Sequence, residues 1–144
     1  MEKINVVYWS GSGNTAAMAE AIGEGITAAG KEANVVLVSD IKAEELKEAK
    51  VFALGCPSMG DENLEEGEME PFVCDVEEFA QGKIIALFGS YGWGGGVWMN
   101  DWVDRMSQAG ATVLNGEGII CSNDPDGGVI QQCRSIGEQL AANL

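Results

Sequence analysis

Three short segments concentrate the residues able to do chemistry. The first, WSGSGNT at residues 9–15, follows an apolar run and sets Ser10, Ser12, Asn14 and Thr15 around Gly11 and Gly13. Glycine permits turns closed to other residues, and N–H groups exposed where a helix begins attract an anion with help from the helix dipole. The chemistry on offer is the binding of a compact phosphate by neutral donors. A nucleotide triphosphatase loop needs G-x-x-x-x-G-K-[ST], and that lysine is absent. Gly11-x-Gly13-x-x-Ala16 also matches a dinucleotide fingerprint, with Asp40 where a ribose-binding acid would sit. A full dinucleotide fold, however, needs two half-units and more chain than 144 residues. A capped helix start with no ligand needs one serine or threonine, not four donors.

The second segment, CPSMGDE at 56–62, holds Ser58, Met59, Gly60, Asp61 and Glu62; the third, SYGWGGG at 90–96, holds Ser90, Tyr91, Gly92, Trp93 and Gly94. Trp93 stands among glycines that give its ring little local packing, so it wants a flat partner. Met59 offers a soft apolar surface that favours aromatic contact. A methionine wall, a tryptophan wall and a carboxylate at the rim describe a slot for a planar ring bearing an N–H donor. Ring plus single phosphate points to FMN. Tyr91, at a strand end, reads as core.

The elements that must position these loops follow from apolar patterning. Residues 3–9, 34–38, 50–55, 83–89 and 111–121 predict strands, most of them near-continuously apolar as in a sheet covered on both faces. Met18, Ile22 and Ile26 recur at helical spacing, as do Trp98, Trp102 and Met106, and Cys133, Gly137 and Leu140 with Ile136. Gly30, Gly82 and Gly110 fall where helices should end. Strands each followed by a helix, joined by right-handed crossovers, give a doubly wound α/β domain: a five-stranded parallel sheet with helices on both faces, one domain over residues 1–144. In such sheets ligands sit beyond the carboxyl ends of the strands where strand order reverses. The three chemical segments are the loops after the first, third and fourth strands.

Composition narrows the partners. The chain has 23 acidic and 8 basic residues, a net charge of −15, which argues against a nucleic acid, since a polyanion needs clustered Lys and Arg. No Lys or Arg occurs between Lys3 and Lys31, Lys50 and Lys83, Lys83 and Arg105, or Arg105 and Arg134, so the loops must bind without a cation nearby in sequence. Histidine is absent and the four cysteines form no C-x-x-C pair, which disfavours zinc or copper. The cysteines read as small buried apolar residues kept reduced. No apolar run is long enough for a bilayer and the N-terminus lacks a signal-peptide layout, so no membrane role and a cytoplasmic location are expected.

The motifs YWSGSGNT, LGCPSMGDE and ALFGSYGWG, in that order and spacing, make the chain resemble the flavodoxins, specifically the short-chain kind from anaerobic bacteria, over its whole length. The resemblance implies strand order 2-1-3-4-5 and bound FMN. It assigns Ser10, Gly11, Ser12, Gly13, Asn14 and Thr15 to the phosphate, Met59 to the inner face of the ring and Trp93 to the outer. Glu62 would accept from the ring N3–H, and the Gly60 carbonyl would turn towards N5 on reduction. Ser58 and Asp61 flank these residues, and the backbone from Ser90 through Tyr91, Gly92 and Trp93 to Gly94 would meet the pyrimidine edge. The loop 121–128 is placed beside the ribityl chain. A short-chain member also has no long insertion in its fifth strand, as 111–121 reads. Ser12 stands for the threonine of many relatives and Gly95 for an acid of some.

Implied with this is a low-potential one-electron carrier that shuttles between redox enzymes as a monomer. Six carboxylates between 61 and 70 adjoin the ring slot and read as a docking face for basic surfaces on redox partners. No histidine and no nucleophile with an adjacent base is present, so an enzyme with its own substrate is not expected. An FMN-dependent quinone reductase of the same fold is the alternative. A response-regulator domain needs paired acids after the first strand and a lysine after the fifth, where this chain has Ser10-Gly11 and Ser122-Asn123.

Overall fold

The computed structural model describes residues 3–10, 13–59, 63–92, 96–122 and 125–144. Near-continuous apolar runs become strands β1 (Lys3–Tyr8), β2 (Glu32–Leu37), β3 (Val51–Gly55), β4 (Ile84–Tyr91), β5 (Thr112–Val113) and β6 (Ile119–Ser122). They pair in parallel in the order β2-β1-β3-β4-β5, with β6 also on β4. Every residue of the central β3 is buried, because both faces of the sheet are covered.

Side-chain alternation along the strands divides the interior in two. Val7, Phe52, Leu54, Ile85 and Leu87 face α2 (Met69–Glu77) and α3 (Val97–Gln108), where Met69, Phe72, Val73 and Val76 meet Trp98, Trp102 and Met106. Ile4, Val6, Val51, Ala53 and Phe88 face α1 (Asn14–Ala28) and α4 (Gly127–Ala142), where Met18, Ile22 and Ile26 meet Cys133, Ile136 and Leu140. All three helical periodicities read from the sequence point inward. Gly30, Gly82 and Gly110 take the left-handed conformation after α1, before β4 and after α3. The α1–α4 crossing brings backbones together: a Cβ on Gly25 would overlap the Arg134 carbonyl oxygen, and one on Gly137 that of Ile22.

Two expectations need correction. The fifth strand is not continuous over 111–121. Asn115 and Gly116 adopt φ of 64° and 73° within a 3-10 turn, which no strand can pass through, so the sheet stops after β5 and resumes as β6 further along β4. Nor does every strand lead into an α-helix. Two 3-10 turns, Val38–Asp40 and Ala43–Leu46, join β2 to β3, since this stretch buries only Val38, Ala43 and Leu46. Asp40 lies in the first turn and not on the strand. Among the cysteines Cys56, Cys121 and Cys133 are buried, but Cys74 is exposed on α2. Among the described residues no helix is long and apolar enough to cross a membrane.

Candidate functional site

β1, β3 and β4 lie side by side and end at one edge, where the three chemical segments begin. Backbone bonds carry the pairing past the last strand residues: Trp9 N–H donates to the Gly55 carbonyl at 3.0 Å, Cys56 N–H to Phe88 at 3.1 Å and Ser58 N–H to Ser90 at 2.9 Å. The three segments therefore form one platform.

In the first segment Gly13, at φ 96°, turns the chain into α1, and its N–H donates to Ser10 Oγ at 3.0 Å. Left-handed φ is a position for glycine. The N-cap residue of α1 is this glycine, which has no side chain to cap the helix, and the first turn holds no acid. At two other helices the chain closes the start with its own carboxylates, while α3, like α1, begins at a left-handed glycine with no acid in its first turn. Glu65 accepts from Gly67, Glu68 and Met69 N–H at the start of α2, and Asp126 from Val129 N–H at the start of α4. An anion arriving at α1 meets backbone donors and no resident negative charge in that turn, the chemistry a phosphate needs. Asn14 is half-buried, while Thr15 turns inward and its Oγ1 lies 3.1 Å from Ser90 Oγ, both buried.

In the second segment Met59 and Asn63 exchange two backbone bonds, of 2.9 and 2.8 Å, across residues 60–62. Ser58 and Met59 are half-buried. Cys56 beneath them accepts at its carbonyl from Trp98 Nε1 at 3.1 Å and at Sγ from Glu65 N–H at 3.4 Å. Burial pushes its thiol up to about 12, so it sits there as a neutral packing group. In the third segment Gly89 lies against Cys56: a Cβ there would overlap the Cys56 carbonyl oxygen. Tyr91 is half-buried and packs on the core with its ring centroid 5.6 Å from that of Trp98, as the core reading expects; Gly92 is exposed.

The structure thus gathers Ser10, Gly13, Asn14, Thr15, Ser58, Met59, Ser90, Tyr91 and Gly92 at one edge. Gly11, Ser12, Gly60, Asp61, Glu62, Trp93 and Gly94 lie outside the described residues, as do Gly95, Asn123 and Asp124. Supports that the sequence reading missed are Cys56, Glu65, Gly89 and Trp98. Gly89 had a signal, a lone glycine inside an apolar run, which marks a close backbone approach.

The flavodoxin family matches residues 6–140. The chain belongs to that family. It is 46% identical to the flavodoxin of Clostridium beijerinckii over 138 residues, 96% of this chain and 99% of that one. It is 42% identical to the flavodoxin of Megasphaera elsdenii, over 96% and 98% of the two chains. The solution structure of two-electron reduced Megasphaera elsdenii flavodoxin superposes with a TM-score of 0.88 at 41% identity, covering 96% of this chain and 98% of that one. Flavodoxins are FMN-binding electron carriers, and the findings fit that reading and not the quinone-reductase alternative. The donor set at the start of α1 fits the phosphate of FMN.

Proposed function

We propose that this flavodoxin holds one FMN against the carboxyl ends of β1, β3 and β4 and passes single electrons at low potential to redox enzymes, with no substrate turnover of its own. The observation that carries the reading is the start of α1, which has a glycine at its N-cap, no acid in its first turn and Ser10 beside it, at the edge where β1, β3 and β4 end. When bound, FMN supplies a ring that takes up and returns electrons one at a time. Ser10, Gly11, Ser12, Gly13, Asn14 and Thr15 hold its phosphate through neutral donors. Met59 and Trp93 cover the two faces of the ring, with Ser58 and Asp61 beside them. Glu62 would accept from N3–H, the Gly60 carbonyl would turn towards N5 on reduction, and the backbone of residues 90–94 would line the pyrimidine edge.

The protein opposes the last electron electrostatically. Two unit charges about 12 Å apart in water repel by roughly 0.3 kcal/mol before screening. Over the excess acids of a chain with net charge −15 this comes to on the order of 1 kcal/mol, or about 40 mV for one electron. We place the carrier in the cytoplasm as a monomer, one domain over residues 1–144, and assign it partners with basic docking surfaces.

Titration of the apoprotein with FMN tests the reading. One equivalent should bind and quench tryptophan fluorescence. Trp93→Ala should weaken binding by the worth of an aromatic stack, about 0.5–1.5 kcal/mol, and make the second electron easier to add. An apoprotein that ignores added FMN overturns the proposal.

A further inference from the structure

We propose that Glu65 is a positioning residue for the Met59 wall: its carboxylate fastens the arm that descends from Asn63 to the start of α2, and its N–H ties that arm to Cys56. The inference rests on the reading that Met59 faces the flavin.

Both ends of Glu65 are engaged by the chain itself. Oε1 accepts from Glu68 N–H at 2.7 Å and Met69 N–H at 3.0 Å, and Oε2 from Gly67 N–H at 2.8 Å. Its backbone carbonyl accepts from Glu70 N–H at 2.8 Å, and its own N–H reaches Cys56 Sγ. Bonds of N–H groups to an ionised carboxylate are among the stronger ones. Here three converge on one side chain at a helix start, where donors otherwise lack partners. Slight burial works to raise the Glu65 carboxyl, and the bonds from Met69, Glu68 and Gly67 outweigh it and hold the group below the usual carboxylate range.

Cys56 and Glu65 stand at the two feet of the segment that carries Met59. The foot at Cys56 is tied to β4 through the Phe88 carbonyl and to α3 through Trp98 Nε1. The foot at Glu65 is tied to α2, and the buried Leu64 beside it sits in the core. The Met59–Asn63 bond pair forms the next rung above the Cys56–Glu65 contact. With both feet fixed and a rung between them, the backbone at Met59 is held from two sides. Without the carboxylate, three N–H groups at the start of α2 lose their acceptor, and the arm that delivers Asn63 to Met59 is released. Glu66 and Glu68 are exposed, so the role separates Glu65 from its acidic neighbours.

The test compares Glu65→Ala, Glu65→Gln and Glu45→Ala. Glu45 caps a 3-10 turn away from the platform by accepting from Lys42 N–H at 2.8 Å. Amide hydrogen exchange at Met59 and Asn63 is read in each apoprotein, and FMN affinity with the visible circular dichroism of the bound flavin in each holoprotein. Glu65→Ala should speed exchange at both amides at least tenfold, weaken FMN about tenfold and alter the flavin dichroism. Glu65→Gln should recover part of each, since its one oxygen can still serve Glu68 and Met69 while its NH2 opposes Gly67 N–H. Glu45→Ala should leave all three at wild-type values. Unchanged exchange and affinity in Glu65→Ala, or equal losses in Glu45→Ala, overturn the inference. If Glu65→Ala does not fold, Glu65→Gln decides on the same exchange readout. A wild-type apoprotein that takes up no FMN overturns the parent reading, and exchange at Met59 and Asn63 then still decides whether Glu65 holds the segment.

Discussion

Removing the hydroxyls of Thr15 and Ser90 should show that the phosphate loop is fastened to β4 by a buried pair. Their oxygens lie 3.1 Å apart on residues 1% and 4% exposed, so neither can turn to bulk water. A buried hydroxyl stripped of its partner costs about 1–3 kcal/mol, while replacing both partners by apolar groups can be nearly neutral. For a chain of this size 1 kcal/mol moves Tm by about 3–4 °C. Thr15→Val and Ser90→Ala alone should each lower the Tm of the apoprotein by about 3–12 °C. The double variant should lose clearly less than the sum, with a coupling of about 1–2 kcal/mol. Heat and urea unfolding of the four apoproteins closes the cycle. Because Ser90 Oγ points at the first turn of α1, its loss should also weaken FMN at the phosphate end, which isothermal titration reads. Strictly additive losses would show that the two hydroxyls do not hold each other and would refute the reasoning.

Two further outcomes are expected. Alanine suits a helix better than glycine by up to about 1 kcal/mol, so Gly127→Ala, with nothing within 4 Å of the new methyl, should raise Tm slightly. Gly137→Ala should lower it by several degrees, because the methyl overlaps the Ile22 carbonyl oxygen, lies 2.8 Å from Ile26 N, and overpacking of about 1–3 kcal/mol outweighs the helix gain; equal melting points would mean that α1 and α4 do not touch backbone to backbone. Electron transfer to a basic partner should slow as salt rises, and Glu66→Gln with Glu68→Gln should lower the association rate without changing Tm; a rate flat from low to moderate salt would refute docking by these charges.

Most of the sheet was legible because a parallel strand buried on both faces has to be apolar throughout, as Val51–Gly55 is. α1, α3 and α4 were legible from four-residue spacing of large apolar side chains. α2 is harder to read: its buried Met69, Phe72, Val73 and Val76 are interleaved with Glu70, Asp75 and Glu77 and follow a run of acids. The break in 111–121 has a local signal, the Asn115-Gly116 pair, outweighed by apolar residues on both sides. At the site, residue types announced the chemistry but not the supports. Trp98 reaches Cys56 across 42 residues and Thr15 reaches Ser90 across 75, and no local pattern reports such pairs. Cys74 departs from the buried reading because Glu70 Oε2, 3.2 Å from its sulfur, gives the thiol a polar partner at the surface.

The acid run 61–70 looks uniform in sequence, yet its carboxylates do different work. Glu65 faces the N–H groups of α2. Glu70 meets Arg105 through two bonds, Oε1 to Nη1 at 2.8 Å and Oε2 to Nη2 at 2.6 Å, while Glu77 takes Arg105 Nε at 2.9 Å. The Arg105 guanidinium holds the Glu70 carboxyl below the usual range. Seen from beyond a Debye length, Glu70, Glu77 and Arg105 act as a single negative charge, because the cation cancels one of two. The exposed charges of the run among the described residues are Glu66 and Glu68, with Asp61 and Glu62 outside that set. In the proposed docking to a basic partner, fewer acids would do the steering than the sequence suggests, and neutralising Glu65 along with them would confound steering with loss of a helix cap. The field on the ring follows the same division. Net charge already counts Arg105, so the repulsion of about 40 mV stands for the whole chain, but the run beside the ring supplies a smaller part of it. In the proposed carrier, stacking and exclusion of water around the ring then have to supply the larger share of a low potential.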